Sequence, residues 1–238
     1  MMSILAFIPA RGGSKGIPKK NLALLNGKPL LHYAIEAAQS SRYVTDIFLS
    51  SDDPDIIKYG ESLGVRVPYK RPNELAEDDT PTVDTVLHGL EWLKKNGSPL
   101  PEVVLLLQPT SPLRTSEDID GAIEAFRSSG AKSLVSVHKQ TEHPYKCMES
   151  TGEKWSFLRK PLEKTTRRQD YPDNFYTING AIYLVSPEFI FSKKTFIVEG
   201  ETTLYQMSQR NGLDIDEPLD LKLAELCMKN ISAPDSRL

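Results

Sequence analysis

Short apolar and β-branched runs alternate along this chain with longer segments in which apolar positions return every three or four residues. The runs at 4–8, 47–50, 65–67, 103–107, 134–137 and 181–185 are bounded by turn residues and are expected as strands. Between them, Leu30–Ser40, residues 55–63, the set Val83, Val86, Leu87, Leu90 and Leu93, and residues 119–126 carry helical spacing. The β-α-β-α-β order predicts an α/β fold, a mostly parallel sheet with helices on both faces. The unbroken apolarity of VVLLL at 103–107 suits a strand covered on both sides.

The alternation breaks at about 138–177, where short β-like pieces mix with many charges and aromatics. This reads as an inserted arm or lid within a single domain spanning 1–238. After it, NGAIYLVS resumes a core strand, and Leu219, Leu223, Leu226 and Cys227 are expected to mark the core-facing side of a closing helix.

Composition then narrows the function. The chain has 238 residues, 39% hydrophobic and 26% charged, enough to bury a sizeable core. A formal net charge of −3 gives no general reason to bind nucleic acid or an anionic membrane. No apolar run approaches a membrane span, and the first is too short for a signal peptide, so a cytoplasmic location is expected. Cys147 and Cys227 stand far apart, which suits neither a disulfide framework nor a cysteine-based metal site.

Against that acidic background, FIPARGGSKGIPKKN at 7–21 concentrates Arg11, Lys15, Lys19 and Lys20 around three glycines directly after the first strand. In open parallel sheets, ligands collect beyond the carboxyl ends of strands. The spacing fits neither G-x-x-x-x-G-K-[ST] nor G-x-G-x-x-G, and Pro18 opposes a helix starting right after the glycines. Two readings remain: a solvated basic turn, or a glycine turn whose N–H groups approach a polyphosphate while the cations neutralise it.

That loop, together with LLQPTSPLR at 106–114, NGAIY at 179–183 and DIDEPLDL at 214–221, closely resembles the CMP-sialic acid synthetases, the acylneuraminate cytidylyltransferases. The resemblance runs from about residue 4 to residue 226. It implies a Rossmann-like nucleotidyltransferase fold, a homodimer, a divalent metal, usually Mg2+, and CTP as donor. The implied reaction joins CMP to a nonulosonic acid with release of pyrophosphate. N-acetylneuraminate is the leading acceptor; legionaminate, pseudaminate or an eight-carbon 2-keto acid are alternatives. A catalytically silent nucleotide-binding regulator is the non-enzyme alternative.

Attack on the α-phosphorus needs fixed cations where charge accumulates, and Arg11, Lys15 and Lys20 can supply them. By resemblance, Arg11 and Lys20 hold the phosphates, Ser14 and Asn21 complete the loop, and Lys19 is an exposed bystander. Asp214 and Asp216, two apart on an extended segment, point to one side and could share a magnesium ion, Asp216 counting also as catalytic. The alternative for Asp216 is an N-cap for the helix starting near Pro218. Gln108 by resemblance contacts the acceptor, as Lys146 and Arg168 do from the arm, which in this family crosses to the second subunit. Arg168 is preferred to Arg167 because Gln169 follows it. Tyr183 lines the sugar pocket or packs in the core. Arg71, Ala76 and Thr82 correspond to the base and ribose pocket, with an N-cap as the competing role for Thr82. Arg114 either helps with charge or anchors the next helix.

Overall fold

The computed structural model describes residues 2–140, 142–160 and 171–229. Its centre is a six-stranded sheet in the order β10-β6-β9-β5-β1-β4. The strands are β1 (Ile4–Pro9), β4 (Asp46–Ser50), β5 (Val103–Leu106), β6 (Ser133–Lys139), β9 (Tyr176–Val185) and β10 (Thr202–Gln206), while β2 (Leu24–Leu25) and β3 (Lys28–Pro29) form a small separate ribbon. β1 runs parallel to β4 and β5, and β10 parallel to β6; β9 alone runs antiparallel, between β5 and β6. The carboxyl ends of β4, β1, β5, β6 and β10 therefore share one edge.

Helices cover both faces, as expected. On one side α1 (Leu30–Ser40), α2 (Pro54–Ser62) and α4 (Ser116–Ser129) bury Leu31, Ile35, Ile56, Ile119 and Ile123 against Ile4, Ala6 and Ile8. On the other, α3 (Thr82–Lys95) and α5 (Pro187–Lys193) bury Val86, Leu90, Phe189 and Ile190 against Phe7, Val104 and Leu106. Strands buried on both faces carry apolar residues in succession, which is why 103–107 has no polar interruption. α2 starts where Asp53 accepts from the backbone of Asp55 and Ile56, with Pro54 at its first position. α4 starts from a reciprocal pair of bonds between Thr115 and Asp118.

Three expectations change. Residues 65–67 are no strand: Arg66 makes one isolated bridge to Phe48, and Pro68 ends any ladder by withholding a donor. The closing helix, α6 (Pro218–Lys229), buries Ala224 and packs Leu221, Cys227 and Met228 against Ile17, Leu25 and Leu30, while Leu219, Leu223 and Leu226 are exposed. Only Cys227 of the expected face meets the core. The insertion also begins later and ends earlier than 138–177, because His138 and Lys139 belong to β6 and Tyr176 and Thr177 to β9, where they pair. Between these strands lie a turn at Pro144–Lys146 and a hairpin of β7 (Met148–Thr151) and β8 (Lys154–Phe157), exposed at all eight positions. Among the described residues, no helix is long and apolar enough to cross a membrane.

Candidate active site

The basic loop leaves β1 at the shared carboxyl edge and crosses to a single turn at Lys20–Leu22. Asn21 fixes its shape from within, donating from Nδ2 to the Arg11 carbonyl at 2.8 Å, and the Gly12 amide donates to Asp52 Oδ1 at 3.0 Å. Gly16 has a different duty. A Cβ there would lie 2.2 Å from the Asp216 carbonyl oxygen, so only glycine lets the loop reach the DID segment before α6.

That segment alternates as an extended chain must. Ile215 is fully buried in a small core with Ile17, Leu25 and Leu113, and its amide donates to the Thr110 carbonyl at 2.8 Å. Asp214 and Asp216 consequently both face the cavity. Lys20 Nζ bridges loop and segment, donating to the Ile215 carbonyl and to Asp216 Oδ1, each at 2.9 Å. Asp216 is not the helix cap. Asp220 accepts from the amides of Asp216 and Glu217, leaving the Asp216 side chain 73% exposed. Burial, aided by repulsion from Asp216, pushes the Asp214 carboxyl above the usual carboxylate range, against a hydrogen bond from Thr110 and the charge of Lys20. Asp214 Oδ1 is buried with no partner among the described residues.

The first cavity, about 280 Å³, is walled by Arg11, Ser14, Lys20 and Asn21 from the loop, Arg71 and Thr82 from the following units, and Gln108, Asp214 and Asp216. Nine sequence-selected residues, spread over 206 positions from Arg11 to Asp216, thus meet at one place. Arg71 is almost fully buried, donating from Nε to Ser50 Oγ at 3.1 Å and from Nη2 to the Ser50 carbonyl; burial pushes its guanidinium down to about 10. Thr82 is the first residue of α3 and makes no capping bond, since Pro81 takes the cap position. Its hydroxyl is left for the cavity.

Other candidates lie elsewhere. Lys15 stands outside the wall, 80% exposed, 3.4 Å from Asp78 Oδ2. Lys19 turns away to Asp55 at 2.9 Å, an exposed pair as expected. Ala76 is absent from the wall, where its neighbours Leu75 and Glu77 stand instead. Lys146 sits in the arm's turn, 5.7 Å above the Tyr171 ring, and borders neither cavity. Arg168 lies outside the described residues.

A second cavity, about 450 Å³, adjoins the first through Gln108 and Asp214, which border both. Tyr183 lines it, with its hydroxyl pKa raised by burial and by Asp214, and its ring 5.3 Å from Phe196. The NGAIY motif builds this side. Gly180 adopts φ +73°, and the register of β9 on β6 shifts around it. Asn179 Oδ1 accepts from Ser136 Oγ and from the Ala181 amide, holding the bulge closed. Arg114 ties this bulged strand to the loop after β5: its Nη1 donates to the Ala181 carbonyl at 2.6 Å and the Gln108 carbonyl at 3.3 Å. It anchors Gln108 rather than the next helix.

Sequence reasoning missed the acidic side of the basic loop. Arg11 Nη2 lies 2.7 Å from Asp78 Oδ1 and Nη1 donates to the Glu77 carbonyl, so the loop's cations rest on an acidic turn. The run EDD at 77–79 was the available signal. It also missed His138, Thr177 and Gln209 in the second cavity, which carry no local signature.

The cytidylyltransferase family model matches residues 5–225. A CMP-N,N'-diacetyllegionaminic acid synthase of Legionella pneumophila is 36% identical over 96% of this chain and 97% of that protein. An N-acylneuraminate cytidylyltransferase of Streptococcus agalactiae is 33% identical over 90% of this chain; the chain spans about half of that protein, 51%. A solved CMP:2-keto-3-deoxy-manno-octonic acid synthetase complexed with CTP shares the fold, with TM-score 0.71 at 16% identity over 96% of this chain and 99% of that one. The chain therefore belongs to the cytidylyltransferase family, in the group of CTP-dependent enzymes that includes the CMP-sialic acid synthetases.

Proposed function

We propose that this enzyme transfers CMP from CTP to the anomeric hydroxyl of a nonulosonic acid. The observation that carries this reading is the meeting of two unlike cavities at Gln108 and Asp214. One is walled by Arg11, Lys20 and Arg71; the other has no Lys or Arg among its described walls. A triphosphate suits the first and a polyhydroxylated sugar the second. The acceptor hydroxyl gives up its proton to solvent and its oxygen bonds to the α-phosphorus, the bond from that phosphorus to the oxygen bridging to the β-phosphorus breaks, and pyrophosphate leaves with that electron pair. Arg11 and Lys20 hold phosphoryl oxygens as charge builds on them. Asn21 fixes the loop, Ser14 borders the phosphates, Arg71 and Thr82 border the nucleoside, and Gln108 and Tyr183 border the acceptor.

Asp214 and Asp216 fit a magnesium ion. Both are hard oxygen donors facing the cavity, and Asp214 holds a buried oxygen without a partner among the described residues. Among the described residues no group of three or more acidic, histidine or cysteine side chains lies together, so water and phosphate oxygens would have to supply the remaining ligands. When bound, the metal neutralises phosphate charge and lowers the pKa of the attacking hydroxyl. Lys20 pairs with Asp216 beside the same cavity.

N-acetylneuraminate is the first acceptor to test. A second reading, N,N'-diacetyllegionaminate, is favoured by the Legionella relative, 36% identical with near-complete coverage of both chains. The exposed hairpin residues Met148, Trp155 and Phe157, with Leu158 just after, support the arm as a homodimer contact, from which Lys146 would reach an active site. Pyrophosphate release from CTP and Mg2+ with N-acetylneuraminate, N,N'-diacetyllegionaminate, pseudaminate or the eight-carbon acid tests the reaction and selects the sugar. Protein that binds CTP but releases nothing with any of them would favour the regulator.

A further inference from the structure

The second cavity contains a group that the reaction above leaves without a task. His138 follows Leu134 and Ser136 at two-residue intervals near the end of β6, so the three share a face of the strand. Leu134 enters the core, and Ser136 is spent on Asn179 and the Ile182 amide. His138, one step further, reaches the cavity wall beside its strand partner Thr177 and near Ile178 and Gln209. Its Nδ1 is buried with no hydrogen-bond partner among the described residues. A ring placed only to fill space would be better made of carbon, because an unmatched buried polar atom costs about 1–3 kcal/mol.

Position says which part of the acceptor the ring would meet. The attacking hydroxyl and the carboxylate beside it must lie where the two cavities join, at Gln108 and Asp214. The sugar body then extends toward the wall formed by His138, its strand partner Thr177 and Gln209. Burial lowers the His138 pKa below its ordinary 6.5, so the ring is neutral at pH 7, with one N–H and one lone pair. That suits a hydroxyl or an acylamino group and suits a carboxylate poorly.

We infer that His138 is a specificity-determining residue that hydrogen-bonds a neutral substituent, hydroxyl or acylamino, at the end of the acceptor sugar remote from the attacking oxygen. This rests on the proposed reaction. Leu213 receives the apolar part of that substituent, and Thr177 and Gln209 complete the polar rim.

The test compares the parent with His138→Leu, which keeps bulk without polarity, and with His138→Asn and His138→Gln, which place an amide near Nδ1 and Nε2 respectively. Acceptor KM and kcat are measured with CTP and Mg2+ for N-acetylneuraminate and N,N'-diacetyllegionaminate, and CTP binding by calorimetry without acceptor. The expected result for His138→Leu is an acceptor KM raised about tenfold, the loss of one neutral hydrogen bond, with kcat within about twofold and CTP binding unchanged. One amide variant recovers most of the loss, and the preference between the two sugars shifts. An unchanged acceptor KM in His138→Leu, or CTP binding that weakens in parallel, overturns the role of His138 while leaving the proposed reaction standing. Failure of the parent to turn over any acceptor overturns both.

Discussion

Replacing Gly16 by alanine adds one methyl group to a loop that already touches the DID segment. The new Cβ would stand 2.2 Å from the Asp216 carbonyl oxygen, and reaching ordinary contact requires roughly 1 Å of separation. The segment is poorly able to give way: Ile215 is fully buried, its amide is bonded to Thr110, and the Asp216 amide is bonded to Asp220. The loop must therefore move, and the two 2.9 Å bonds from Lys20 stretch or break. Overpacking of this kind costs about 1–3 kcal/mol in stability. A 1 Å error between a catalytic cation and its partner costs on the order of 10²-fold in rate. Gly13→Ala is the control, since a Cβ there meets nothing within 4 Å and its φ is not left-handed. Thermal unfolding and pyrophosphate release should show Gly16→Ala losing several degrees and about 10²-fold in kcat, with the melting temperature of Gly13→Ala unchanged. If Gly16→Ala kept parental stability and a rate within threefold, the close approach of loop and segment could not be what organises the site.

Asp216→Ala should lower kcat by about 10²–10³-fold or more at saturating Mg2+ while melting within about 2 °C of the parent, because the side chain is 73% exposed; an unimpaired rate removes Asp216 from the metal site. Asp78→Asn frees Arg11 and Lys15 from a competing carboxylate, so CTP should bind about two- to fivefold tighter by calorimetry at low salt, with the gain fading near 1 M salt. Looser binding would make Asp78 a ligand rather than a competitor. For Asp214 the folded pKa is raised above its ordinary 3.8, so its contribution to stability is present below about pH 4 and is lost as pH rises through the folded value. In EDTA the melting temperature of the parent minus that of Asp214→Asn should therefore fall as pH rises above about 4, and Mg2+ should raise only the parent; a flat difference would mean the carboxylate is not strained by burial.

The parts legible in the sequence are those whose signal is local. Residues 103–107 announced a doubly covered strand, Leu30–Ser40 announced its helix to the residue, and the basic loop stood out because four cations crowd three glycines, two of those cations, Arg11 and Lys20, walling the first cavity. Where two structures share one local pattern, the sequence could not choose. α6 carries apolar residues on two faces, and periodicity does not say that Leu221, Ala224 and Met228 go inward while Leu219, Leu223 and Leu226 stay out. β10 is an edge strand whose half-exposed TTLYQ lacks a continuous apolar run.

The direction of β9 is the deeper case, because hydrophobicity is the same whichever way a doubly covered strand runs. Reversal puts its first residues beside the last residues of β6, with Thr177 opposite His138 and Ile178 opposite Val137. Tyr183 pairs with Leu106 near the end of β5, so residues 176–182 extend past β5 along the edge where ligands collect. The first cavity is lined by loops, whose chemistry stands out against its neighbours in the sequence. The second is lined largely by strand interiors, where a cavity-facing side chain occupies the same alternating position as a core-facing one. Gly180 is the exception: its φ is positive and a Cβ there would stand 3.2 Å from Gln108 Oε1, so glycine is demanded at the point where β9 bulges. An Asn-Gly pair inside an apolar run was thus a visible sign of the second cavity, and it marks where the strand bends rather than which strand residues line the space beside it.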